Sequence, residues 1–130
     1  MRVSRWEDRL VEFIDAHLFV PFAWGTNDCV TFAAKWIEVC TGEKVFEPEH
    51  DDVHTAAAEL AKRGGIAQAI RDVLGDPLPN PLAAQRGDIG LVEIEGRQSA
   101  VVVIGADAVG PGEGGLHKAP ITSLVMAWRV

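Results

Sequence analysis

The chain changes its hydrophobic period once, after Arg86-Gly87-Asp88, and no other feature limits the fold as much. Before that point apolar residues recur every three or four positions, the spacing of one helical face. After it, β-rich runs alternate with turn residues. Helices first and strands second give an α+β fold, with N-terminal helices packed on a small antiparallel β-sheet. The 130 residues read as one domain, 1–130, long enough to bury a core without disulfides or metal.

Residues 5–18 form the first predicted helix: Trp6, Leu10, Phe13, Ile14 and Leu18 fall at helical spacing and Ser4 is its N-cap. Residues 29–41 form the second, capped by Asp28 and stopped by Gly42. Its stripe is Cys29, Phe32, Ala33, Trp36, Ile37 and Cys40, the pattern of a core helix. Residues 43–52 read as an acidic irregular loop. Asp52 or Thr55 then caps a helix running to about Arg63, ended by Gly64-Gly65. A short helix spans 66–74 with Gly75 as its stop, and Pro77, Pro79 and Pro81 make a stiff, extended connector. Strands are expected at 89–94 and 100–104 around a turn of Glu95-Gly96-Arg97-Gln98, with shorter ones at 106–109, 115–118 and 125–130 and a loop at 111–115.

Net charge is -7 with no cluster of lysine or arginine, which argues against an electrostatic nucleic-acid footprint. No apolar run has transmembrane length. The first residues, Met1 to Asp8, lack the apolar core of a signal peptide. The two cysteines, Cys29 and Cys40, lie on one predicted helix about 16 Å apart at ~1.5 Å per residue. That exceeds the Cα spacing of about 7 Å that a disulfide tolerates. Two unbridged thiols fit a reducing compartment, so the chain is expected to be cytoplasmic as synthesised.

Cys29 is the residue that carries chemistry. It stands at the first turn of its helix, directly behind the capping Asp28. Unpaired backbone N–H groups and the positive end of the helix dipole stabilise a thiolate there. A nucleophilic thiol also needs a base or imidazolium partner. His117, on a strand neighbouring the expected hairpin, is the candidate. His17 is read as a helix-end histidine favoured by the dipole. His50 and His54 have an i, i+4 spacing that can hold a divalent metal, but no third ligand is fixed nearby, so no metal is expected. Asp88 is read as fixing a turn through its side chain. Trp24, beside the cysteine, is a candidate groove wall. The glycine-rich run 110–115 lacks the Lys-Ser/Thr end of a phosphate loop. No cofactor is implied.

The segment Phe22-Ala23-Trp24-Gly25-Thr26-Asn27-Asp28-Cys29 resembles the Tyr-x-Trp-Gly-Gly-x-Asp-Cys segment of NlpC-like, papain-fold cysteine peptidases, which cleave cell-wall peptides. Arg86-Gly87-Asp88-Ile89-Gly90-Leu91-Val92 resembles the Gly-Asp strand of the same group. Pro21 to Cys29, Gly64-Gly65, Gly87-Asp88 and Ala127-Trp128-Arg129 together are similar to small phage and prophage proteins of that type. The resemblance implies a papain-like core, phage tail proteins or cell-wall peptide as partners, and virion association.

It also implies a base that this chain lacks. The group carries a His at the start of the strand after Gly-Asp; here the strand reads Gln98-Ser99-Ala100-Val101-Val102. The group's tyrosine is Phe22, its second glycine is Thr26, and the Ser-Gly after its cysteine is Val30-Thr31. The expectation is therefore a structural or binding module with a degenerate catalytic site, Trp24, Asp28 and Ser99 being its binding candidates. The alternative is an active cysteine hydrolase or amidase using Cys29 with a relocated base, His117.

Overall fold

The computed structural model describes residues 2–45 and 51–130. Four helices come first among them: α1 (Trp6–His17), α2 (Cys29–Thr41), α3 (Val53–Arg63) and α4 (Ile66–Leu74). Strands β1 (Ile89–Ile94), β2 (Arg97–Val103), β3 (Asp107–Gly112), β4 (Gly115–Pro120) and β5 (Met126–Trp128) follow. They form one antiparallel sheet in the order β4-β3-β2-β1-β5. The α+β expectation therefore holds.

Caps explain the helix ends that local sequence predicts. Asp28 accepts from the Thr31 N–H at 2.9 Å while the Asp28 N–H donates to Thr31 Oγ1 at 2.9 Å, a reciprocal box that starts α2. Asp52 and Thr55 repeat the arrangement at α3. At α1 the expected Ser4 cap is not used. Arg5 occupies the cap position with left-handed backbone, φ 60°, and no side-chain cap bond. Tertiary contacts just upstream set this approach: the Val3 N–H donates to the Cys40 carbonyl at 2.7 Å, and the Arg2 side chain reaches Asp88.

The first hairpin is tighter than expected. Glu95 (φ 52°) and Gly96 (φ 77°) alone make the turn, and Ile94 pairs directly with Arg97. Two consecutive left-handed residues match the right-handed twist of the flanking strands. Arg97 and Gln98 thus begin β2 rather than belonging to the turn. Likewise β3 runs through Pro111 and Gly112, which pair with Leu116 and Gly115, so the expected loop at 111–115 shrinks to Glu113 and Gly114.

The sheet has two faces, and both are covered. Ile89, Leu91, Ala100, Val102, Val109 and Trp128 face the helices and meet Leu10, Phe13, Phe32 and Trp36. Trp36 is fully buried and donates Nε1–H to the Gly87 carbonyl at 2.8 Å, which ties α2 to the start of the sheet. Val92, Val101, Val103, Ala108 and Ala127 face the other way, under Ala84 and Leu124. Each large apolar side chain so buried contributes about 1.5–3 kcal/mol.

Candidate functional site

Cys29 opens α2 on the helix side of the sheet, packed against the main core. The alternation of β2 determines what it meets. Val103 donates its N–H to Asp88 on the β1 side, so odd residues of β2 bond toward β1 and even residues toward β3. The β2–β3 ladder covers only Val102↔Val109 and Val103↔Ala108. The Ala100 N–H therefore points past the end of that ladder, and it favours the thiolate form of Cys29. Sequence reasoning missed Ala100, because a backbone donor leaves no mark in residue type.

The thiol pKa is raised above its ordinary value. Burial of the sulfur is the largest cause. The Ala100 N–H opposes it, Asp28 adds to it through like-charge repulsion of the thiolate, and the N–H groups of Val30 and Cys29 itself oppose it. Cys29 keeps some exposed surface as a residue, so it is the sulfur that is desolvated. Magnitudes agree with the direction. A helix dipole is worth about 0.3–1 kcal/mol, up to ~2 when partly buried. At about 1.4 kcal/mol per pKa unit, this is on the order of one unit. Desolvation can shift a buried group by about 3–5 units the other way.

Asp28 is 1% exposed and committed to structure. Besides the cap, its Oδ2 accepts from the Gly25 N–H at 2.8 Å, which folds the turn ahead of α2. Trp24 is 37% exposed and meets the Phe22 ring edge-on at 4.8 Å between centroids.

His117 and Ser99 stand elsewhere. His117 pairs with Gly110 on β4–β3. Its neighbours Leu116 and Ala119 pack with the helix-side and far-side clusters respectively. Strand alternation then puts His117 on the face of Ala119, away from Cys29. Its Nε2 lies against the space over Gly110 next to Val101, a far-face residue. Ser99 pairs with the far-face Val92 and shares that side. The sheet thus separates Cys29 from both. His17 packs by its ring on Phe13 and Phe32, at 4.3 and 5.3 Å, with Nδ1 2.7 Å from the Phe13 carbonyl oxygen. His54 lies on exposed surface in the first turn of α3, and His50 lies outside the described residues. Among the described residues no group of three or more His, Cys, Asp or Glu side chains is arranged to hold a metal ion.

Asp88 does fix a turn, as expected, by accepting from the Gln85 N–H at 2.8 Å. Sequence reasoning did not show its larger role. It is fully buried, paired with Arg2 at 2.8 Å and Arg129 at 3.2 Å, and it accepts from the Val130 N–H at 3.2 Å.

Fold and site together define an α+β domain that carries a capped, thiol-bearing helix on an antiparallel sheet. The family model described as a domain of unknown function (DUF6950) matches residues 1–130, and the chain belongs to that family. No curated protein and no solved structure matches it. Among the described residues no helix is long and apolar enough to cross a membrane.

Proposed function

We propose that this domain is a binding or structural module on a thiol-hydrolase-like scaffold, in which His117 does not serve Cys29 as a catalytic base. The setting in phage tail assembly or cell-wall contact comes from the sequence resemblance, as does the virion location. The observation that carries the reading is the strand register that puts His117 on the opposite side of the sheet from Cys29. The raised thiol pKa supports it, since burial works against the thiolate that a nucleophile needs. The hydrolase reading keeps the helix start and the backbone donors around the sulfur, but loses the base it was given.

The test is alkylation of the folded Cys40→Ala protein with iodoacetamide across pH, which isolates Cys29. We expect slow reaction at pH 6 with a rise only in the alkaline range, and no cleavage of cell-wall peptides. Cys29→Ser should alter stability and leave nothing catalytic to lose. Rapid alkylation at pH 6 that disappears in His117→Ala would overturn the reading and establish a dyad.

A further inference from the structure

The turn ahead of α2 holds an acceptor with no donor. Asn27 is 4% exposed. Its Nδ2 donates to the Val20 carbonyl at 3.2 Å and the Pro21 carbonyl at 3.0 Å, which fixes the amide orientation, because an oxygen facing two carbonyls would be repelled. Oδ1 is buried and unpaired. Native proteins rarely leave a buried acceptor in that state unless a water or a ligand meets it.

Asn27 lines a groove of about 360 Å³ with His17, Val20, Pro21, Thr26 and Lys35. Ligand pockets run from about 300 to 1,000 Å³, so this one suits a small molecule. Its chemistry is specific. Lys35 Nζ donates once, to the Thr26 carbonyl at 2.6 Å, and an ammonium has two further N–H groups to give. Val20 and Pro21 supply apolar wall. Phe19 and Trp24, flanking the wall residues in sequence, are 83% and 37% exposed. A ligand amine would set a second cation beside Lys35. A carboxylate would offer Asn27 Oδ1 no donor. A neutral amide answers both ends at once.

We propose that this groove binds a small neutral amide with an apolar substituent, its N–H donated to Asn27 Oδ1 and its carbonyl accepting from Lys35 Nζ. The proposal rests on the module reading above and gives that module a ligand chemistry; the Cys29 thiol takes no part. Because Oδ1 is closed to solvent in the ligand-free form, binding displaces the turn at 23–27, where Ala23 and Asn27 form a bridge.

The experiment compares N-isobutylacetamide with isobutyl acetate, an ester that keeps the carbonyl and the apolar body and lacks only the N–H. Both are titrated into isotope-labelled full-length protein and followed by NMR. We expect saturable shifts at the Asn27 side-chain amide and the Lys35 backbone, with the amide binding at least about tenfold tighter than the ester. Lys35→Met, at an exposed position, should weaken the amide several-fold while the thermal unfolding midpoint stays near that of the parent protein. Equal affinity for amide and ester would overturn the proposal. So would no shift at Asn27 up to the solubility limit, which would leave Oδ1 to a buried water. Cys29→Ser should retain amide binding. Fast alkylation of Cys29 at pH 6 would overturn the module reading separately.

Discussion

At Cys29 and Cys40 the burial that suppresses thiolate also couples folding to pH. Burial is the main cause that raises the Cys29 pKa, with Asp28 adding to it; burial likewise raises Cys40, opposed by Arg2. A thiol raised on folding binds its proton more tightly in the native state than in the unfolded one. Its stabilising contribution is complete below the unfolded thiol pKa, about 8.5, and is lost as pH climbs through the folded value. We therefore expect urea midpoints to fall above pH ~8.5. The fall should be smaller in the Cys29→Ala/Cys40→Ala protein, measured relative to its own value at pH 7. An equal fall in both proteins would show that the thiols are not responsible.

At the level of elements, the lead-in between α1 and α2 depends on a close approach to β4. Leu116 donates its N–H to the Leu18 carbonyl at 3.1 Å, and Phe22 donates to the Gly112 carbonyl at 2.8 Å. Gly115 makes that approach possible. Its φ is 138°, and a Cβ there would run into the Leu18 carbonyl oxygen and lie 3.0 Å from Phe19 Cα. Gly115→Ala combines backbone strain with a backbone clash, each worth on the order of 1–3 kcal/mol. We expect a loss of at least ~2 kcal/mol in urea unfolding. Gly114→Ala is the control, since a Cβ there meets nothing within 4 Å. Equal behaviour of the two variants would mean that the lead-in does not rest on β4.

Over the whole molecule, Asp88 closes the chain on itself. Arg2 bonds Asp88, the Arg86 carbonyl and the Val130 carbonyl, and its guanidinium lies 4.1 Å above the Trp6 ring. Arg129 approaches Asp88 from the other end of the sequence, with its side chain 51% exposed against 16% for Arg2. Removing one partner of a buried charge pair costs about 3–5 kcal/mol, because the other is left uncompensated, whereas exposed pairs are worth about 0–1. Asp88→Ala should therefore lose about 3–5 kcal/mol, and Arg129→Ala about 1 or less. Arg2→Ala should fall nearer the first. Thermal and urea unfolding of the three variants would rank them; a large Arg129→Ala effect with a small Arg2→Ala effect would reverse the assignment.

The sequence alone determined the features whose physics is local. The bounds of α2 and α4 were legible because a capping Asp and stopping glycines act within a few residues of themselves. The division into helices and strands followed from hydrophobic period, and with it the α+β class. Tertiary structure decided the rest. Ser4 was not the cap of α1, because Arg2 and Val3 are held by residues far along the chain. The start of β2 was hidden because Arg97, Gln98 and Ser99 are not core residues and carry no apolar alternation. Above all, the side of the sheet taken by His117 depends on the β2–β3 and β3–β4 registers. A shift of one residue in either would carry its imidazole to the face of Cys29, since strand side chains alternate with a period of two. The residues of one strand do not reveal which strand it pairs with, and the register follows from that pairing and from the turns that join the strands.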